Sequence, residues 1–206
     1  LHLVSNPEFL QAGRAVETFQ NPDRVVIGAE SEEAGDQVAA LYEGMEVTVV
    51  RTDPQSAELI KYASNTYLAL RLSFVNTLAT LCEKGGGDAS AVLKGMGLDA
   101  RIGPAFLSPG PGWGGSCFPK DTRALSAVAR GIGADTTLLE GSLLANQLRF
   151  DQVAAQVKEA VGGGLSGKHI GVLGLTFKAE TDDLRESPAL AVIERLLVSG
   201  ARVTAY

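Results

Sequence analysis

The chain has 206 residues, 45% of them hydrophobic and 20% charged, with a formal net charge of −6. That is enough apolar mass for one or two packed domains of a soluble globular kind. The acidic balance argues against a nucleic-acid surface, two cysteines exclude a disulfide framework, and no apolar run approaches the ~20 residues of a membrane span. Cys82 falls in a helical apolar pattern and reads as core, which suits a reducing, cytoplasmic compartment. The first residues do not read as a signal peptide, and no metal site is expected.

Leu1–Val4 reads as a short strand that hands over to the polar loop Ser5-Asn6-Pro7-Glu8-Phe9-Leu10, a place where open α/β folds put ligands. Arg24–Gly28 is a second apolar strand, Ser31–Tyr42 a helix with acids in its first turn, and Glu46–Val50 a third strand. At Asp53-Pro54 the period changes. From Ser56 to about Lys84 the residues Leu59, Ala63, Tyr67, Leu70, Phe74, Thr77 and Leu81 recur at three- and four-residue intervals, predicting one long amphipathic helix of the kind that forms a domain spacer or a dimer seam. A short helix over Ser90–Lys94 follows, then a glycine-rich loop, then helices near Thr122–Arg130 and Thr136–Val161. After Gly162-Gly163-Gly164, which reads as a hinge, Lys168–Leu175 has a buried-strand pattern, Ser187–Val198 is an amphipathic helix and Ala201–Tyr206 a last strand. The spacing Gly171-x-x-Gly174 lacks the full G-x-G-x-x-G and is a weak phosphate signature.

The densest chemistry lies in Gly112-Trp113-Gly114-Gly115-Ser116-Cys117-Phe118-Pro119-Lys120-Asp121. A thiol, a cation and a carboxylate fall within five residues behind a run of glycines that lets the backbone approach a ligand. Pro119 fits the first turn of a helix, which puts Cys117 at a helix N-terminus, where the macrodipole favours a thiolate. Taken alone, the string is equally a buried cysteine in a Gly/Pro loop. Lys61 and Asn65, four apart on the long helix, share one face; that face is either solvated or a matched pair of polar groups. Glu8 alone is as ambiguous.

In register, Ser5-Asn6-Pro7-Glu8-Phe9-Leu10, Glu58-Leu59-Ile60-Lys61-Tyr62-Ala63-Ser64-Asn65, Arg101-Ile102-Gly103, the Cys117 string, Gly174-Leu175-Thr176-Phe177-Lys178 and Thr181-Asp182-Asp183-Leu184-Arg185-Glu186-Ser187 are more specific than any one of them. Together they resemble the UDP-glucose/GDP-mannose dehydrogenase family, which oxidises a sugar's primary alcohol to a carboxylate with NAD. The resemblance covers the whole chain. It implies an α/β protein with an all-α central domain: the end of an N-terminal NAD-binding Rossmann domain (1–52), a long-helix dimerisation domain (53–161), and the start of a C-terminal Rossmann-like UDP-binding domain (165–206).

It also implies the chemistry. Cys117 is the expected nucleophile, carrying the aldehyde as a thiohemiacetal and then a thioester. Lys61 with Asn65 would stabilise the oxyanion, Asp121 would hold a water or assist as base, and Glu8 would be the general base of hydrolysis. Lys120 and Arg185 match positions near NAD. Substrate contacts fall at Glu8, Lys61, Asn65, Phe106, Leu107, Gly114 and Lys178, with Phe106 to Gly114 wrapping the sugar and Arg101 reaching a neighbouring subunit's substrate. Where the family often has a second acid four residues after Glu8, this chain has Ala12, so any mechanism that needs two acids on this loop is in doubt.

Ser116 before the cysteine looks more like the UDP-glucose branch, whose product is UDP-glucuronate, than like the GDP-mannose or UDP-N-acetylhexosamine branches. A two-electron hydroxyacid dehydrogenase of similar plan would not need Cys117. The chain opens without methionine and stops within a strand, so it is expected to be an internal piece, with the NAD glycine fingerprint ahead of residue 1 and much of the sugar-reading surface beyond Tyr206. Such a piece is expected to form a homodimer through the long helix without oxidising anything by itself.

Overall fold

The computed structural model describes residues 2–206 and shows a mixed α/β chain with a long helix in its middle. It divides into two compact units, one running to Ser64 and the other Asn65–Tyr206.

In the first unit, β1 (Val4–Ser5) pairs antiparallel with β2 (Val25–Ala29), and β2 pairs parallel with β3 (Val49–Thr52) in the order β1-β2-β3. The strand expected from Leu1 starts at Val4, and Leu1 lies outside the described residues. The third strand sits three residues later than the apolar run predicted. Its register, Val25↔Val49 through Gly28↔Thr52, is set by pairing with β2 rather than by its own composition. β2 is the centre of the unit: Val25, Val26 and Ile27 are buried with Ala34 and Ala57. Between β2 and β3 runs α2 (Glu32–Ala39), whose first turn is capped by the Ser31 hydroxyl accepting from the Ala34 N–H. Sequence periodicity missed α1 (Ala15–Gln20), which buries no residue and is held locally by the Arg14–Glu17 ion pair.

The long helix α3 (Pro54–Gly85) has 32 residues, ~48 Å at 1.5 Å each. Asp53 caps it through the Ser56 N–H and hydroxyl, 2.8 and 2.7 Å, and Pro54 opens it. These bonds hold the Asp53 carboxyl below its ordinary range. Its start presses on β2 at Gly28, where a Cβ would stand 2.5 Å from the Ala57 methyl.

In the second unit, α3 continues beside α4 (Ala89–Gly97), α5 (Phe118–Gly131) and α6 (Thr137–Ala160). Val75, Leu93 and Leu107 form one small core, with Leu78 and Met96 against it. The chain then turns at Gly162 and Gly163, both at positive φ, into β4 (His169–Val172), α7 (Pro188–Val198) and β5 (Arg202–Ala205), a parallel βαβ unit. Its core of Leu165, Val192, Leu196 and Ala201 packs on Phe150, Val153 and Val157 of α6. β4 alternates exposed and half-buried residues instead of being buried throughout, because among the described residues its sheet has two strands. Cys82, expected in the core, is half-buried near the end of α3. The stripe read as a dimer seam is uncovered on α3: Leu59, Tyr67, Phe74 and Leu81 are each more than half exposed.

Candidate active site

Glu8 and Lys61 meet in the first unit. The Lys61 ammonium donates to the Glu8 carboxylate at 2.9 Å and to its backbone carbonyl, and the Lys61 side chain is only 15% exposed. The loop carrying Glu8 is pinned by Asn6, whose amide donates to the Val26 carbonyl at 2.8 Å and accepts from the Tyr42 hydroxyl. Phe9 lies under the Arg24 guanidinium, 3.9 Å from its centroid. One oxygen of Glu8 also accepts from the Leu10 N–H. The loop borders a cavity of about 260 Å³ whose lining includes Glu8, Arg14, Thr18 and Tyr42. An acid fixed beside a cation in this way can hold a water or an anionic oxygen.

In the second unit Cys117 is the N-cap residue of α5, with Pro119 in the first turn, as the sequence predicts. It is half-buried, 3.6 Å from the Ser116 hydroxyl, at the end of the helix where the macrodipole favours negative charge. Asp121 lies one turn on, fully buried. Its carboxylate accepts from the Asn65 amide at 2.6 Å and from the Lys120 ammonium. A buried carboxylate needs such partners, and here two of the expected site residues supply them.

The loop ahead of Cys117 is shaped by contacts that exclude side chains. A Cβ on Gly114 would stand 1.9 Å from the Glu186 carbonyl oxygen, and one on Gly115, at φ +85°, 2.7 Å from the Phe177 ring. The Gly115 N–H donates to the Arg185 carbonyl at 3.0 Å. Thus the segment from Phe177 to Ser187 is laid directly on the cysteine loop. Asp183 organises it, accepting from the Arg185 N–H, Nε and Nη2 at 2.7–2.9 Å. The Arg185 guanidinium holds the Asp183 carboxyl below its ordinary range, and Asp183, with a smaller contribution from Cys117, raises Arg185. Arg185 and Lys120 keep side chains 71% and 63% exposed. Lys178 stands 5.9 Å from the Phe177 ring.

The other expected site residues are scattered more widely. Phe106, at φ 55°, has its ring 6.4 Å from that of Phe118, beside the start of α5. The Leu107 side chain, expected at the substrate, instead belongs to the core with Val75 and Leu93. Arg101 lies on Asp99, which raises it, and is 89% exposed. Sequence reasoning missed Ser73, Asn76, Asn146 and Arg149, polar residues buried on α3 and α6 that grip the loop from Gly110 to Trp113. Their signal was pairs of polar residues three apart on inward faces, Ser73 with Asn76 and Asn146 with Arg149, indistinguishable in sequence from a solvated stripe. Among the described residues no cluster of metal-ligating side chains occurs and no helix is long and apolar enough to cross a membrane.

Three domain models of one family match in chain order: the NAD binding domain over residues 1–46, the central domain over 55–148 and the UDP binding domain over 171–206. The chain belongs to the UDP-glucose/GDP-mannose dehydrogenase family. A UDP-glucose 6-dehydrogenase of Rhizobium meliloti is 46% identical over 99% of this chain and 48% of its own length. Among solved structures, a UDP-glucose dehydrogenase from the archaeon Pyrobaculum islandicum superposes with a TM-score of 0.94 at 43% identity, covering 99% of this chain and 47% of that one. A UDP-D-ManNAc dehydrogenase from Pyrococcus horikoshii superposes at 0.87 with 28% identity, over 100% of this chain and 49% of that one. The chain thus spans about half the length of the curated relatives it matches.

Proposed function

We propose that this chain is the middle of an NAD-dependent enzyme that oxidises UDP-glucose to UDP-glucuronate, removing four electrons through a covalent intermediate on Cys117. The observation that carries the reading is Cys117 at the N-terminus of α5 with a fully buried Asp121 one turn on, held by Asn65 and Lys120. Identity of 43–46% to UDP-glucose dehydrogenases, against 28% to the UDP-D-ManNAc enzyme, supports glucose as the sugar.

Lys120 and Arg185, exposed cations on α5 and on the segment against Gly115, fit the negative charge of a dinucleotide and would hold it. NAD, when bound, accepts the hydride in each of the two oxidations. The chain's own residues do the rest. Lys61 and Asn65 donate to the sugar oxygen as it gains charge. At the aldehyde stage the Cys117 sulfur bonds to C6 and the carbonyl oxygen takes a proton; oxidation then leaves a thioester. Glu8 takes a proton from water as it attacks, the C–S bond breaks, and the thiolate departs from the acid. With Ala12 after it, Glu8 is the acid this loop offers for that step.

We also infer that the enzyme is a homodimer joined through the exposed stripe of α3, and that it works in the cytoplasm, where free Cys82 and Cys117 stay reduced. The chain boundaries at 52/53 and 161/165 are proposed as those of its NAD-binding, central and UDP-binding domains. Cys117→Ser in the complete enzyme is the test. The wild type should form two NADH and one acid per UDP-glucose, and the variant no acid; near-normal acid from the variant removes Cys117 from the mechanism.

A further inference from the structure

We propose that Asn146, on α6 and outside the chemistry above, is a positioning residue for Cys117, acting by clamping the loop that delivers the thiol. The inference rests on the reading of Cys117 as nucleophile and adds to it what keeps the sulfur in place. Asn146 is 5% exposed. Its Oδ1 accepts from the Trp113 N–H at 2.8 Å and its Nδ2 donates to the Trp113 carbonyl at 2.8 Å, so one side chain satisfies both backbone groups of one loop residue. A strand would provide these partners from a neighbouring strand; a glycine-rich loop has none of its own, and buried backbone groups must be paired.

The clamp is part of a row. The Trp113 indole donates to the Ser73 hydroxyl at 2.8 Å, the Gly110 N–H donates to the Asn76 amide at 2.8 Å, and Arg149 Nε donates to the Gly110 carbonyl at 2.8 Å. Asn146 is the member that holds the backbone of Trp113, four residues before the thiol in sequence. Gly112 sits at φ +135° with room for no Cβ, which would stand 2.3 Å from the Phe150 ring and 2.9 Å from Asn146 Oδ1. Gly112 is packed on Phe150, but beside it Trp113, Pro119, Asn146 and Phe150 border a cavity of about 610 Å³, so the loop has open space next to it as well as packing. Glu186, whose carbonyl stands against Gly114, borders the same cavity, so the loop ahead of the thiol meets a steric stop at Gly114 and a hydrogen-bonded tie at Trp113.

The test is Asn146→Asp in the complete enzyme, which keeps an acceptor for the Trp113 N–H and sets an oxygen against its carbonyl. With UDP-glucose and NAD, kcat should fall ~10–100-fold, as displacement of a reacting group by ~1 Å does, while KM moves less than about threefold. A second readout needs no substrate: carbamidomethylation of Cys117 by iodoacetamide, mapped by mass spectrometry against Cys82 in the same chain. The Cys117-to-Cys82 ratio should shift at least about fivefold at a temperature well below melting, a change that loss of folded protein alone does not produce. A folded variant with wild-type kcat and ratio, or one whose activity falls only in step with its folded fraction, overturns the clamp. Should Asn146→Asp not fold, Asn146→Ser is judged by the same two readouts. If the wild type does not turn over UDP-glucose yet the ratio shifts in the variant, the proposed function fails and the clamp stands.

Discussion

Alanine at Gly114 should disable the enzyme, while the same substitution at Gly141 on α6 should leave it active and slightly firmer. A Cβ on Gly114 would stand 1.9 Å from the Glu186 carbonyl oxygen and 2.9 Å from Pro188 Cδ, whereas ordinary contact begins at 3.4 Å. Something must therefore move by about 1.5 Å. Glu186 is a poor candidate to yield: it is already at φ 48°, its carboxylate pairs with Arg123, and Ser187 after it caps α7. The cysteine loop moves instead. Overpacking of this kind costs about 1–3 kcal/mol, and with ~2–4 °C per kcal/mol for a chain of this size Tm should drop by about 2–12 °C. A shift of ~1 Å at a reacting group costs ~10²-fold in rate, so kcat measured well below Tm should fall by about that factor. Gly141 has nothing within 4 Å of its missing Cβ and lies in a helix, where alanine is favoured by about 0.5–1 kcal/mol. A Gly114→Ala enzyme with wild-type Tm and kcat would show that the loop does not lie against Glu186 as described.

Glu8→Gln should slow thioester hydrolysis ~10²–10⁴-fold, so that an acyl adduct on Cys117 becomes visible by intact mass after mixing with UDP-glucose and NAD; hydride transfer slowed with no adduct would reassign Glu8. Asp183 is held below its ordinary range by Arg185, so its tie contributes stability above that range and loses it as pH falls through the lowered value. Tm of Asp183→Asn should therefore fall less steeply than wild type in acid, and parallel curves would contradict the role given to the pair. Phe74→Asp should convert a micromolar dimer into a monomer by sedimentation velocity, since Phe74 is 51% exposed at the middle of the stripe; a monomeric wild type would refute the seam.

What the sequence made legible was whatever is repeated or contiguous. The 3.6-residue period and the starts at Asp53-Pro54 and Ser187-Pro188 placed α3 and α7 within two residues, because a cap and a fixed φ act locally. Cys117 was legible because thiol, proline and acid share one helix turn. β3 was misplaced by three residues because its register belongs to β2, and α1 was missed because six residues with no buried face carry no period. Glu8 and Arg185 became candidates only through resemblance, since a lone acid in a loop and a lone arginine have no local signature. The Asn146 clamp was out of reach entirely: its partner is the backbone of Trp113, 33 residues away, and backbone groups look the same at every position.

The division of labour along α3 follows from this. Its inward residues are small or polar where the loop from Gly110 to Trp113 must be held: Ser73 and Asn76 lie beside Ala69, Val75 and Ala79, all buried. Its outward residues Tyr67, Phe74 and Leu81 recur every seven positions and are 62%, 51% and 60% exposed. A helix that only filled a core would not bury Ser73 and Asn76 beside Val75 while leaving Tyr67, Phe74 and Leu81 outward. The arrangement has a physical reason if the outward face is to be buried by a twin helix and the inward face must grip a loop with no secondary structure of its own. Seven-residue spacing suits the first task, because a straight helix drifts only ~20° per heptad and keeps such a stripe on one side over two repeats. Polar groups suit the second, because a glycine-rich backbone offers little to pack against and four hydrogen-bonding groups per two residues to satisfy. In the proposed enzyme α3 therefore serves assembly on one face and, with Asn146 of α6, the geometry of the thiol on the other; the Phe74 variant tests the first and the Asn146 variant the partner of the second.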